Sequence, residues 1–112
     1  MILLDTNVVV AFLNGNESVS GRIRHEIDQI SLSTLVIAEL DFGARVSRKS
    51  KENLEKLYRF LDVVQIVPNK PTGEVDALIT ATAIAQDAIL ATGNRRHFEN
   101  TEGLKLEVWR IE

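Results

Sequence analysis

Short apolar runs alternate with amphipathic stretches along the whole chain. Ile2-Leu3-Leu4 is continuously apolar and stops at Asp5, the pattern of a strand buried on both faces, as in a parallel sheet. Asn7 to Leu13 has the look of a helix, which Asn14-Gly15-Asn16 breaks, and Ser18 to Ile27 is a second, more polar helix. Gln29 to Ser33 follows as a short strand, and Ser33 or Thr34 caps a helix that runs to about Val46. Ser50 opens the next helix, where Leu54, Leu57, Tyr58 and Leu61 form an i, i+3, i+4, i+7 stripe with Glu52, Glu55, Lys56 and Arg59 outside it. Val63 to Val67 is a β-branched strand. Pro68, Asn69, Lys70, Pro71 and Gly73 make the clearest breaker cluster, after which Glu74 to Gln86 is predicted as a helix rich in small residues. Ala88 to Ala91 and Leu104 to Val108 complete the pattern as strands.

Strands that alternate with helices from end to end predict an α/β domain with a parallel sheet of four or five short strands, packed as three layers, α/β/α. The 112 residues suit one domain, 1–112, and a linker or internal repeat is not evident. In such folds ligands bind beyond the carboxyl ends of the strands, so residues just after a strand or in the first turns of the next helix deserve scrutiny.

Three carboxylates meet that description. Asp5 follows the first strand, as a helix N-cap or as a site acid. Glu39 has Leu35, Val36, Phe42 and Gly43 at its helical neighbour positions, which places it in an apolar stripe rather than on the wet face. A carboxylate so placed requires a partner, either an arginine such as Arg45 or Arg48, or a cation. Asp76 falls in the first turns of its helix, where the helix dipole favours an acid, and Thr80 and Ala83 leave room beside it for a ligand or a close-packed neighbour. Asn94, in the polar turn Thr92-Gly93-Asn94 after a strand, belongs to the same rim. Three acids gathered at one sheet edge raise one another's pKa unless a cation compensates them, and oxygen ligands select magnesium or manganese.

Charge and composition narrow the function further. The net charge is −3 and the pI about 5.4, so binding of nucleic acid through bulk charge is disfavoured and any contact is local or routed through a metal. The chain has no cysteine, which removes disulfides, thiolate metal sites and a cysteine nucleophile. His25 and His97 lack the spacing of a zinc pair. The longest apolar run, Val8 to Leu13, is too short for a membrane span and the start of the chain is unlike a secretory signal, so a cytoplasmic location is expected.

These stretches resemble, in order, a PIN-domain ribonuclease of the VapC toxin type. The resemblance is carried by Met1-Ile2-Leu3-Leu4-Asp5-Thr6-Asn7-Val8, Ile37-Ala38-Glu39-Leu40-Asp41-Phe42-Gly43-Ala44 and Asp76-Ala77-Leu78-Ile79-Thr80-Ala81-Thr82-Ala83. It continues in Ile89-Leu90-Ala91-Thr92-Gly93-Asn94-Arg95-Arg96-His97-Phe98 and in Gly103-Leu104 with Glu107-Val108-Trp109. The resemblance implies a metal-dependent endoribonuclease, the toxin of a toxin–antitoxin pair, with RNA as substrate, a cognate antitoxin as partner and a homodimer as assembly. It implies Asp5, Glu39 and Asp76 as catalytic and metal residues, with Thr6 beside the first acid. Asn94 stands where many members have a fourth acid, and His97 where an acid commonly precedes the phenylalanine. Magnesium or manganese would activate a water at the phosphodiester. Thr6 and Asn94 would then orient that water or bind phosphate oxygen, and Arg95 and Arg96 are candidates for the RNA backbone, as are Arg45, Arg48, Lys49 and Lys51, which are more ordinarily a solvated surface.

One departure stands out. Family members usually carry a further amphipathic helix between the strand at Val63–Val67 and the Asp76 helix, and here only Pro68 to Val75 join them. About 20–30 residues are missing, the length of a helix with its loops, and apolar surface that they normally cover is expected to be exposed. The absence motivates an alternative, a shortened module that binds an antitoxin or its own copy without cutting RNA. A phosphotransfer domain with Asp5 as nucleophile fits poorly, because the early acidic pair and the late lysine of receiver-like sheets are lacking.

Overall fold

The apolar strand Ile2–Leu4 (β1) becomes the centre of the molecule because it has nothing polar to offer either face; all three of its residues are buried. The computed structural model describes residues 1–68 and 75–111, with the side chains of 75–77 outside the description. Around β1 the chain lays down Thr6–Leu13 (α1), Glu17–His25 (α2), Ile30–Ser33 (β2), Thr34–Arg45 (α3), Ser50–Leu61 (α4), Gln65–Val67 (β3), Val75–Ala85 (α5), Ile89–Thr92 (β4) and Lys105–Val108 (β5). Short 3-10 turns occupy Ile27–Gln29 and Arg95–His97. The strands form one sheet in the order β3-β2-β1-β4-β5, parallel at every pairing, within a three-layer α/β/α arrangement.

Burial grades outward from β1. Its neighbour β2 is buried throughout and β4 nearly so, whereas the edges β3 and β5 carry Gln65 and Lys105 and are mostly open. Polar edge positions discourage pairing with foreign strands. The strand order also fixes where the chain reverses direction across the sheet. From β1 it moves to β2 and β3, then returns past β1 to β4 and β5, so the crevice for a ligand opens between the carboxyl ends of β1 and β4. The amide of Asp5 donates to the carbonyl of Ala91 (2.8 Å) and closes the two strand ends together.

The predicted elements recur with informative shifts. The second helix ends at His25 and passes into a 3-10 turn instead of reaching Ile27. Val63 and Val64 do not join β3; Val63 lies in the turn after α4 and is 63% exposed. The buried face of α4 is Leu57 and Phe60 rather than the stripe through Tyr58: Phe60 packs on Phe12, ring centroids 4.7 Å apart, while Tyr58 turns to solvent. Glu74 and the cluster 69–73 lie outside the described residues. Seven residues separate β3 from α5, too few for another helix with its loops. Apolar surface is exposed near this short bridge at Ile66 and Val63, and also on α3 at Phe42 and Val46.

Helices α3 and α4 are tied together from outside. The Asp41 carboxylate accepts from Arg45 Nε at 2.6 Å and from the Tyr58 hydroxyl. The hydrogen bond from Arg45, then that from Tyr58, holds Asp41 below the usual carboxylate range. A lowered folded-state pKa stabilises the fold at pH values above the unfolded value, about 3.9, and that stabilisation disappears as pH falls through the folded value. Asp41→Asn is therefore expected to melt below the wild type at pH 7, with the gap closing as pH drops below about 4; thermal melts at several pH values check this, and a gap that stays constant refutes it. At the start of α2, Asn16 accepts the amide of Val19 at 3.1 Å. Asn16→Ala should cost about 1 kcal/mol in denaturant unfolding, the usual loss for an N-cap.

Candidate active site at the sheet switch point

Asp5 is the N-cap of α1 and also the most buried acid described, 6% exposed. Its extended backbone ends β1, and its Oδ1 accepts the amide of Thr6 at 2.8 Å. Oδ2 accepts the hydroxyl of Thr92 at 2.7 Å. Asp5 is thus the helix N-cap that the sequence offered, and the bond that starts the helix also fixes its carboxylate at the end of β1.

Thr6 then reaches across to α3, where its hydroxyl donates to Glu39 Oε1 at 2.7 Å. One threonine therefore holds a carboxylate on either side, by its amide and by its hydroxyl. The position of Glu39 differs from the sequence expectation. The covered stripe of α3 is Val36, Leu40 and Ala44, and Glu39 lies exposed beside it with Phe42 and Gly43. Of its helical neighbours, Val36 is buried and Leu35 partly so, while Phe42 and Gly43 are open, so Glu39 stands at the edge of the covered stripe. The expected arginine partner is also absent: Arg45 pairs with Asp41, and among the described residues no cation forms an ion pair with Glu39.

Thr92 was not singled out in the sequence as a site residue, yet it is the hinge of the arrangement. It ends β4 fully buried; its hydroxyl donates to Asp5 and accepts the Asn94 amide at 3.0 Å, so its proton has one direction. A hydroxyl closing an apolar strand of a buried sheet needs such a partner, which is the signal the sequence held. Asn94 is half-buried, joined to the site through its backbone. Gly93 donates to Asn7 Oδ1 at 3.4 Å, and a Cβ at Gly93 would meet the flexible end of the Ile111 side chain, which would have to shift. Arg95 and Arg96 are exposed in the 3-10 turn that follows.

Asp76 is the second residue of α5, and its side chain lies outside the described residues. Ala83, farther along that helix, is completely buried, which agrees with a close-packed neighbour, one of the two uses expected of the small residues there. No group of three or more metal-binding side chains occurs among the described residues. The donor set that is described suits a hard cation: Asp5 and Glu39 supply only oxygen, each is held by neutral donors, and carboxylate oxygens retain further lone pairs.

A cavity of about 400 Å³ opens from this point between α1, α3 and α4, with Thr6 and Glu39 in its lining. No helix among the described residues is long and apolar enough to cross a membrane.

Comparison with known proteins shows the family and the fold. Residues 2–104 match the family model of the PIN domain. The chain is 30% identical to Ribonuclease VapC2 of Rickettsia felis, with 96% of each chain covered, and 27% identical to the tRNA(fMet)-specific endonuclease VapC of Shigella flexneri, again with 96% of each covered. The first alignment runs over 129 positions against a chain of 112, so at least 17 positions of that relative have no counterpart here, a shortfall close to the expected missing segment. The crystal structure of VapBC2 from Rickettsia felis bound to a promoter DNA fragment superposes with a TM-score of 0.88 at 30% identity, covering 97% of this chain and 99% of that one. VapBC from Salmonella typhimurium shares the fold with a TM-score of 0.87 at 22% identity. With an acid-bearing crevice at the switch point, a family match across nearly the whole chain and a relative of this similarity, the chain belongs to the PIN-domain family, among its VapC-type ribonucleases.

Proposed function

We propose that this chain hydrolyses RNA phosphodiester bonds at the crevice between β1 and β4, using magnesium or manganese held by Asp5, Glu39 and Asp76. The observation that carries this reading is the shared threonine, which brings two carboxylates from different elements to one place. When bound, the divalent ion supplies an activated water and offsets charge on the phosphate. Asp5 is kept in one orientation by Thr6 and Thr92, and a fixed acid loses less freedom when it takes up an ion. Thr6 sets the distance between Asp5 and Glu39. Asn94 would donate its side-chain amide to a phosphate oxygen, and Arg95 and Arg96 offer exposed cations to the RNA backbone, contacts that are largely blind to sequence. The names of the relatives support RNA, including tRNA, as the class of substrate.

The VapBC complexes among the structural relatives support a role as the toxin of a toxin–antitoxin pair, with an antitoxin as protein partner, and the cytoplasm is the location that this reading implies. A homodimer fits the exposed apolar side chains Phe42 and Val46, surface that a second copy would cover.

Cleavage of a labelled RNA is expected to require magnesium or manganese and to stop in EDTA; equal cleavage with and without EDTA excludes the metal route. Asp5→Asn and Asp76→Asn should abolish cleavage with the circular dichroism unchanged, and a fully active variant of either overturns the assignment. Calorimetric titration with magnesium separates this reading from that of a non-cutting module, for which no binding is expected. Thr92→Val should weaken magnesium binding about 10- to 100-fold by freeing the Asp5 carboxylate, and Thr92→Ser should restore it; unchanged affinity in Thr92→Val removes Thr92 from the site.

A further inference from the structure

The cavity beside the two carboxylates is more than an approach to them. Its walls are apolar along Val10, Leu13, Leu40 and Leu57, and Thr6 and Glu39 are part of its lining. Asn53 and Lys56, both from α4, supply its further polar groups. The Asn53 amide is not free to turn: its Nδ2 donates to Ser47 Oγ at 2.9 Å, and that hydroxyl donates to the carbonyl of Ala44 at 2.6 Å, which leaves Oδ1 as the available acceptor. Lys56 makes no ion pair among the described residues. Apolar walls, a fixed acceptor and an uncompensated ammonium, in a volume within the 300–1,000 Å³ or so of small-ligand pockets, match a flat heterocycle attached to a phosphate.

We infer that this cavity is a base-binding subsite: one nucleobase of the RNA, next to the phosphate being cut, enters between α1 and α3–α4, with Asn53 accepting from its polar edge and Lys56 meeting an adjoining phosphate. The inference rests on the ribonuclease reading above and adds to it a contact that depends on the base, where Arg95 and Arg96 supply only contacts to the backbone. Binding a base outside any stack favours single-stranded or looped RNA.

Gly43 provides the test. It lines the cavity, and a Cβ built there meets nothing within 4 Å, so Gly43→Leu adds bulk at the cavity wall from a position with room for a side chain. Leucine is also the better helix former. The probes are a fluorescein-labelled 2′-O-methyl RNA strand, which resists cleavage, and the same strand with every base removed, followed by anisotropy. Gly43→Leu should weaken the base-bearing strand at least about fivefold, the lower end for loss of one base contact. The baseless strand and the magnesium titration should be unaffected. Lys56→Ala, on the exposed side of α4, should weaken both strands and flatten their salt dependence by about one phosphate contact, which keeps the proposal testable if the glycine variant folds poorly. Equal affinity of Gly43→Leu and wild type for the base-bearing strand overturns the inference and leaves the cavity to a protein partner. Wild type that binds magnesium but neither strand also overturns it while sparing the metal site. Base-dependent binding that is lost in Gly43→Leu, in a wild type that takes up no magnesium, upholds the subsite and removes the metal reading instead.

Discussion

The Asp5 carboxylate, held at the end of the central strand by the amide of Thr6 and the hydroxyl of Thr92, is the constraint on which the rest of this molecule depends. An ionised group so nearly buried is costly unless each oxygen is met by a donor. Here the donors come from the first turn of α1 and from the end of β4, so keeping the acid satisfied requires the two strands to end at the same level. The same demand orients Thr6 so that its hydroxyl reaches Glu39 on α3. Structure and candidate chemistry share these hydrogen bonds, and a change that loosened one would loosen the other.

The strand order explains why the acids gather where they do. A chain that winds one way from β1 and then crosses back leaves a gap in its own coverage at the reversal, and the polar ends of β1 and β4 face that gap. Helices α3 and α4 extend one bank of it. Their tie through Asp41, Arg45 and Tyr58 lies on the outer surface, so the inner side of the pair is left for the cavity lined by Leu40, Gly43, Asn53 and Leu57. A polar clasp outside and an open apolar trough inside are two aspects of one helix pairing.

Much of this was legible in the sequence, for definite reasons. The strands β1 and β4 are apolar runs buried on both faces, which is the pattern of interior parallel strands, and Asp5 is conspicuous because it stops such a run. Residues whose environment depends on a distant partner were less legible. Tyr58 fits the apolar stripe of α4 but leaves it for Asp41, 17 residues earlier, and Phe60 takes the buried place against Phe12. Of the neighbours of Glu39, Val36 is covered but Phe42 and Gly43 are not, so Glu39 falls at the edge of the covered stripe and periodicity alone does not fix its exposure. Thr92 passed for an ordinary turn residue because its partner is 87 positions away.

That separation has a temporal consequence. A protein emerges from the ribosome N-terminus first, so Asp5 is made 87 positions before Thr92 and waits for β4 to arrive beside it. Pairing of β1 with β4 is among the most non-local contacts in the sheet, and such contacts form late. The two strand ends are therefore joined only after β4 has been made, and a polypeptide that stops short of β4 carries Asp5 without the Thr92 hydroxyl that orients it.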